Sequence, residues 1–175
     1  LIVIRVNTEI EVWDQNKRRL FEKPKIEYSI RSIKSLINSI NYCQSKYLDL
    51  KIKTIILDDS SKIENLDKIK EIMKDVNGEI IYLDTKKFEA KIKRQKTQQT
   101  FSNLASLYQC FEIGKEIGED LIFFIEDDYL HFETMLEEMI ATYERVSSQV
   151  GKDIFMCPAD YPYLYTVSYT HLRAH

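Results

Sequence analysis

Leu121-Ile122-Phe123-Phe124-Ile125 runs straight into Glu126-Asp127-Asp128, and this junction constrains the fold more than any other stretch. Five consecutive apolar residues suit a strand covered on both faces, the situation of a parallel sheet layered with helices. Open sheets of that kind bind ligands beyond the carboxyl ends of their strands, where the three acids fall. Adjacent like charges are costly unless a cation sits between them, so the junction suggests a divalent metal and a phosphorylated ligand.

The rest of the chain repeats the pattern. Leu1–Val6 reads as a first strand, apolar and β-branched apart from Arg5, and Asn7–Lys25 as a polar surface loop with Trp13 and Pro24. Ile26, Ile30, Ile33, Leu36, Ile37 and Ile40 recur at helical spacing. Ile52–Leu57 predicts a second strand, ending in Asp58-Asp59-Ser60-Ser61, and Ile63, Leu66, Ile69 and Ile72 a second helix closed by Asn77-Gly78. Glu79–Leu83 predicts a third strand. A charged stretch from Asp84 to Thr100 precedes a helix marked by Phe101, Leu104, Leu107, Tyr108 and Phe111. After the acid strand, Phe132–Val146 predicts a helix with Met135, Leu136, Met139, Ile140 and Tyr143 inward, and Asp153–Cys157 a last strand. Alternating strands and helices predict an α/β domain with a mostly parallel sheet flanked by helices.

At 175 residues, 44% hydrophobic and 30% charged, the chain has the length and composition of one globular domain. Its net charge of -3 argues against a nucleic-acid groove. Cys43, Cys110 and Cys157 form no C-x-x-C pair, which points to a reducing, cytoplasmic setting rather than a disulfide framework or zinc site. No apolar run reaches membrane-spanning length.

The ends carry two further expectations. Leu1 opens inside an apolar run without Met, and Val167–His175 resembles one reading frame of a transposase adapter used for sequencing libraries. That frame needs a preceding Ser, Pro, Thr or Ala, and Thr166 satisfies it. The domain is therefore expected over 1–166, incomplete at both ends, with 167–175 an adapter-derived artefact; His131 is then the histidine left for chemistry.

Parallel strands bring Asp58-Asp59 and Glu126-Asp127-Asp128 to one edge. Hard cations such as magnesium and manganese take carboxylate oxygens and keep phosphate oxygens as further ligands. Asp-Asp-Ser-Ser is equally good helix-capping chemistry, whereas one cap needs only one acid, so the later triad is the stronger functional signal. The basic run Lys86, Lys87, Lys91, Lys93, Arg94 and Lys96 can offer Lys93 or Arg94 to a diphosphate, or be a solvated loop. His131 is either a ligand of the metal or phosphates or a structural residue. Asp160, among Tyr161, Tyr163 and Tyr165, suits a sugar or acceptor surface as well as ordinary loop packing.

The order of a strand, a helix with Ser32-Ile33-Lys34-Ser35-Leu36, Ile56-Leu57-Asp58-Asp59-Ser60-Ser61, a helix with Asn103, and Glu126-Asp127-Asp128 resembles a family 2-type glycosyltransferase of the GT-A fold. The resemblance implies transfer of a sugar from a nucleoside diphosphate donor to a glycan or lipid-linked acceptor, in surface polysaccharide or glycan synthesis, with peripheral membrane association among its settings. It implies nucleotide-sugar contacts from Asp58, Asp59, Asn103, Arg94 and Asp127. Asp128, with Glu126, would hold manganese or magnesium. The catalytic base is not identified; the family's lies further downstream, and Asp160 is at best on the acceptor side. Other classes use similar acids. A receiver-type phosphoacceptor domain would need an acid pair after the first strand, which ends in Arg5-Val6-Asn7. A nucleotidyltransferase would need a Gly-rich loop there, and none of the 4 glycines precedes Gly78. A non-catalytic carbohydrate-binding scaffold would need the tyrosines but not the acids.

Overall fold

The computed structural model describes residues 1–9, 23–93 and 97–158. Arg94, Asp160, the three late tyrosines and the adapter-like tail lie outside the described residues. Two compact units divide the chain, Leu1–Thr134 and Met135–His175.

In the first unit the apolar runs become β1 (Ile2–Val6), β2 (Thr54–Asp58), β3 (Gly78–Tyr82) and β4 (Phe123–Glu126). The amphipathic stretches become α1 (Lys25–Lys46), α2 (Ile63–Met73) and α3 (Gln98–Ile117). All pairings are parallel, in the order β3-β2-β1-β4. Steps from β1 to β2 to β3 run one way across the sheet, so right-handed crossovers put α1 and α2 on one face. The step from β3 to β4 reverses direction and puts α3 on the other.

Side-chain alternation follows this arrangement. Val3, Ile55 and Leu57 pack with Cys110 and Ile113 of α3. Their neighbours Ile4 and Ile56 point the opposite way in the strands and are fully buried as well. Every position of β2 is buried, as a doubly covered strand requires. α1 and α2 touch each other and bury Ile33, Leu36, Ile40, Leu66 and Ile69. Each such side chain contributes roughly 1.5–3 kcal/mol when removed from water.

Four expectations need correction. β4 is not a fully buried strand: Ile125 is buried, while Ile122 and Phe124 are 41% and 39% exposed. Among the described residues β4 is one of the two edge strands, paired with β1 alone, so one flank lacks cover. The buried stripe of α3 is displaced from the aromatic one, comprising Ala105, Ser106, Gln109, Cys110, Ile113 and Gly114, with Phe111 61% exposed. Small residues win that face because the helix lies close to the sheet: a Cβ on Gly114 would come within 3.0 Å of the Phe124 ring.

The basic stretch is not simply a solvated loop. It contains a 3-10 turn, Thr85–Phe88, whose Phe88 is fully buried with Ile92 and Ala105, while Lys87 and Lys91 clamp Glu112 at 2.6 and 2.7 Å. Finally, residues 153–157 form no strand, and Phe155 is fully exposed. A strand exists only through a ladder partner, and these residues have none among the described residues.

The second unit holds α4 (Met135–Val150), of whose expected inward residues Leu136 is buried. Gly151 ends the helix at φ +68, the left-handed conformation for which glycine needs no strain. No helix among the described residues is long and apolar enough to cross a membrane.

Candidate functional site

The carboxyl ends of β1, β2 and β4 share one edge because the strands are parallel. β1 lies between the other two, and the chain leaves β1 toward β2 but reaches β4 from the far side. That reversal makes the gap between β1 and β4 a topological switch point, where ligands of open α/β sheets bind. In register, Val6 lies beside Asp58 and Arg5 beside Glu126. The two-residue alternation then sorts the acids by face. Asp59 and Glu126 share Arg5's face, toward α3; Asp58 and Asp127 point toward α1 and α2.

On the α3 side the chain supplies its own cation. Arg5 Nη1 donates to Asn103 Oδ1 at 2.9 Å and Ser106 Oγ at 3.0 Å, and Nη2 donates to Glu126. The Arg5 side chain is 15% exposed and that of Glu126 is 50%, so the guanidinium is fixed while its carboxylate partner remains open to solvent. Ser102 donates its hydroxyl proton to Asp59. One turn of α3 therefore brings Asn103 and Ser106 to Arg5.

On the other face Asp58 is 2% exposed and accepts from the Ser61 N–H at 3.3 and 3.2 Å. It closes the turn after β2, in which Ser60 holds φ +67, a left-handed conformation that costs a non-glycine residue roughly 1–2 kcal/mol. Asp58 is not the cap of α2, which starts after Lys62 without a side-chain cap. Burial pushes the Asp58 carboxyl above its usual range, against its hydrogen bonds from Ser61, and the Asp59 charge adds to the push.

A raised folded value has a definite sign in the pH dependence. Above the ordinary value of 3.8 and up to the raised one, the folded chain holds a proton that the unfolded chain has lost, so stability from this group falls as pH rises. Asp58→Asn keeps an acceptor for Ser61 and removes the charge. It is expected to be more stable than the parent near pH 7 and to lose that advantage toward pH 4, measured by thermal melts across pH. A pH-independent difference would show that Asp58 bears no such burden.

Asp127 turns into α1. It is 6% exposed, takes Lys25 Nζ at 2.7 Å and accepts the Ser29 hydroxyl. Burial raises its pKa, the Lys25 charge and the two hydrogen bonds oppose the rise, and Asp128 adds to it. Asp128 itself sits on the exposed turn beyond β4 and makes no hydrogen bond or ion pair among the described residues. His131 is held by its backbone N–H, which donates to Ser35 Oγ at 3.0 Å. Its buried Nε2 has no hydrogen-bond partner among the described residues, and burial depresses its pKa, favouring the neutral ring.

No three His, Cys, Asp or Glu side chains among the described residues converge as a ready-made metal cage. Magnesium-type cations do not require one, since one or two carboxylates plus substrate phosphates and water complete their shell. Glu126 and Asp128 are acids of that kind, and the Arg5 guanidinium already stands on Glu126 as a cation does. Carboxylate oxygens such as these are the donor type that a hard divalent ion takes.

Arg5 and Lys25 stand at this edge, and sequence patterning missed both. A lone charge inside Ile2-Val3-Ile4-Arg5-Val6 was a signal for the first; nothing local marked the second. No protein-family model, no curated protein and no solved structure matches this chain.

Proposed function

We propose that this chain binds a nucleoside diphosphate sugar at the carboxyl edge of its sheet and serves glycosyl transfer, as a GT-A-type domain of the glycosyltransferase kind it resembles. The observation that carries the reading is the placement of two acid-ended strands, β2 and β4, on either side of β1 at the switch point, with Arg5 fixed between them. Asp59, half-buried beside Ser102, is suited to accept from ribose hydroxyls or base N–H groups, with Asn103 on the same face. Asp58 shapes the turn that presents Asp59. Asp127 ties β4 to α1 and so fixes the turn carrying Asp128.

Glu126 and Asp128 would hold manganese or magnesium, which when bound supplies Lewis-acid stabilisation of the charge developing on the departing diphosphate. Attack by a glycan or lipid-linked acceptor hydroxyl needs a carboxylate base as well. None of the acids described above takes that role in our reading; Asp160 is the acceptor-side candidate. The setting proposed is cytoplasmic, with a membrane-associated acceptor among the options.

Calorimetric titration of UDP-, GDP- and dTDP-sugars, with manganese and with chelator, tests the reading. One donor is expected to bind at least tenfold more tightly with manganese, a gain of about 1.4 kcal/mol. Absence of binding by all donors in both conditions sinks the proposal.

A further inference from the structure

We propose, resting on the donor-binding reading above, that the Arg5–Glu126 ion pair is a latch. Glu126 serves either the Arg5 guanidinium or a divalent cation, and on taking the cation it releases Arg5 to the phosphates of the incoming ligand. The pairing geometry carries this. Arg5 donates through Nη1 to Asn103 and Ser106, which belong to α3, and through Nη2 to Glu126, which ends β4. The α3 contacts hold the guanidinium in place without Glu126. The Glu126 carboxylate is half exposed, so a cation from solvent reaches it while Arg5 stays at the strand end.

The charges make the exchange self-consistent. A carboxylate neutralised by a divalent ion attracts a guanidinium weakly, and the ion repels the guanidinium directly. A diphosphate removes that repulsion, because it brings negative oxygens that accept from both cations, and the guanidinium fork suits phosphate oxygens. Cation and diphosphate therefore bind cooperatively, each raising the affinity for the other by the same factor. Neither Arg5 nor Glu126 has to move to another element for this to happen.

Opposite-signed changes in two variants test the latch. Arg5→Met keeps the apolar stem and removes the competing charge. It is expected to bind manganese alone about tenfold more tightly than the parent, within the span usual for coupled sites. The readout is the paramagnetic resonance signal of free manganese, with no nucleotide present. Glu126→Gln frees the guanidinium and is expected to bind inorganic pyrophosphate in chelator severalfold more tightly than the parent, by calorimetry.

A purely structural Arg5 would lower stability without tightening manganese binding. Equal or weaker manganese uptake by folded Arg5→Met overturns the latch, as does uptake by neither protein. Should Arg5→Met fail to fold, Glu126→Gln decides: unchanged or weaker pyrophosphate binding overturns it. Failure of the donor reading is separate, because it appears as absent nucleotide-sugar binding in the parent while the manganese arm still gives its own answer.

Discussion

Asp127→Ala is expected to lose about 3–5 kcal/mol of folding stability, by far the largest loss among the three adjacent acids. The Lys25 and Asp127 side chains are 11% and 9% exposed, so the pair is largely shielded from bulk water. Removing the carboxylate leaves a largely buried ammonium group without its acceptor, while the Ser29 hydroxyl keeps the Lys25 carbonyl oxygen at 3.3 Å. The raised pKa of Asp127 does not argue otherwise. It says that burial is only partly offset by Lys25 and Ser29, so the intact pair adds little net stability. Breaking the pair is a different matter, because the penalty falls on the partner left behind.

Urea denaturation measures the loss directly. Against a total of roughly 5–15 kcal/mol for a domain, it threatens the fold itself. Replacing both partners, Lys25→Met with Asp127→Leu, is expected to recover most of it, since no unpaired charge remains. A cost below about 1 kcal/mol for Asp127→Ala would show that Lys25 finds water or another partner.

Periodicity made the strand–helix order legible, because apolar runs and helical stripes are local properties of the chain. Alternation at Leu57-Asp58-Asp59 and Ile125-Glu126-Asp127 also fixes which acids share a face. It does not say what stands across from each face. Arg5 reaches Glu126 and Lys25 reaches Asp127 over separations of 121 and 102 residues, set by the sheet order and the crossovers. The sequence therefore suggested an external cation for charges that the fold partly balances from within. Phe88 was hidden for a related reason: a single aromatic among lysines has no periodicity, yet its contacts with Ile92 and Ala105 fold the basic stretch against α3. In 153–157 the local signal was present and the ladder partner was not, so apolar composition alone misled.

Asp128→Ala is expected to behave in the opposite way from its neighbour. The side chain is exposed and unpaired among the described residues, so truncation should change stability by no more than about 0.5 kcal/mol. Its expected effect is on the ligand. If Asp128 and Glu126 hold the cation that joins the diphosphate to the sheet edge, removing one of two carboxylates should abolish most of the manganese-dependent gain in nucleotide-sugar affinity. A loss approaching tenfold, about 1.4 kcal/mol, is expected in manganese, with little change in chelator. Asp59→Asn provides the contrast, because a nucleoside contact acts with or without metal and should weaken binding in both conditions. Stability and binding thus separate the acids of one short junction, with Asp127 read in urea and Asp128 in the manganese titration. Undiminished manganese enhancement in Asp128→Ala would remove it from the site, and a stability loss above about 1 kcal/mol would make it a structural residue like Asp127.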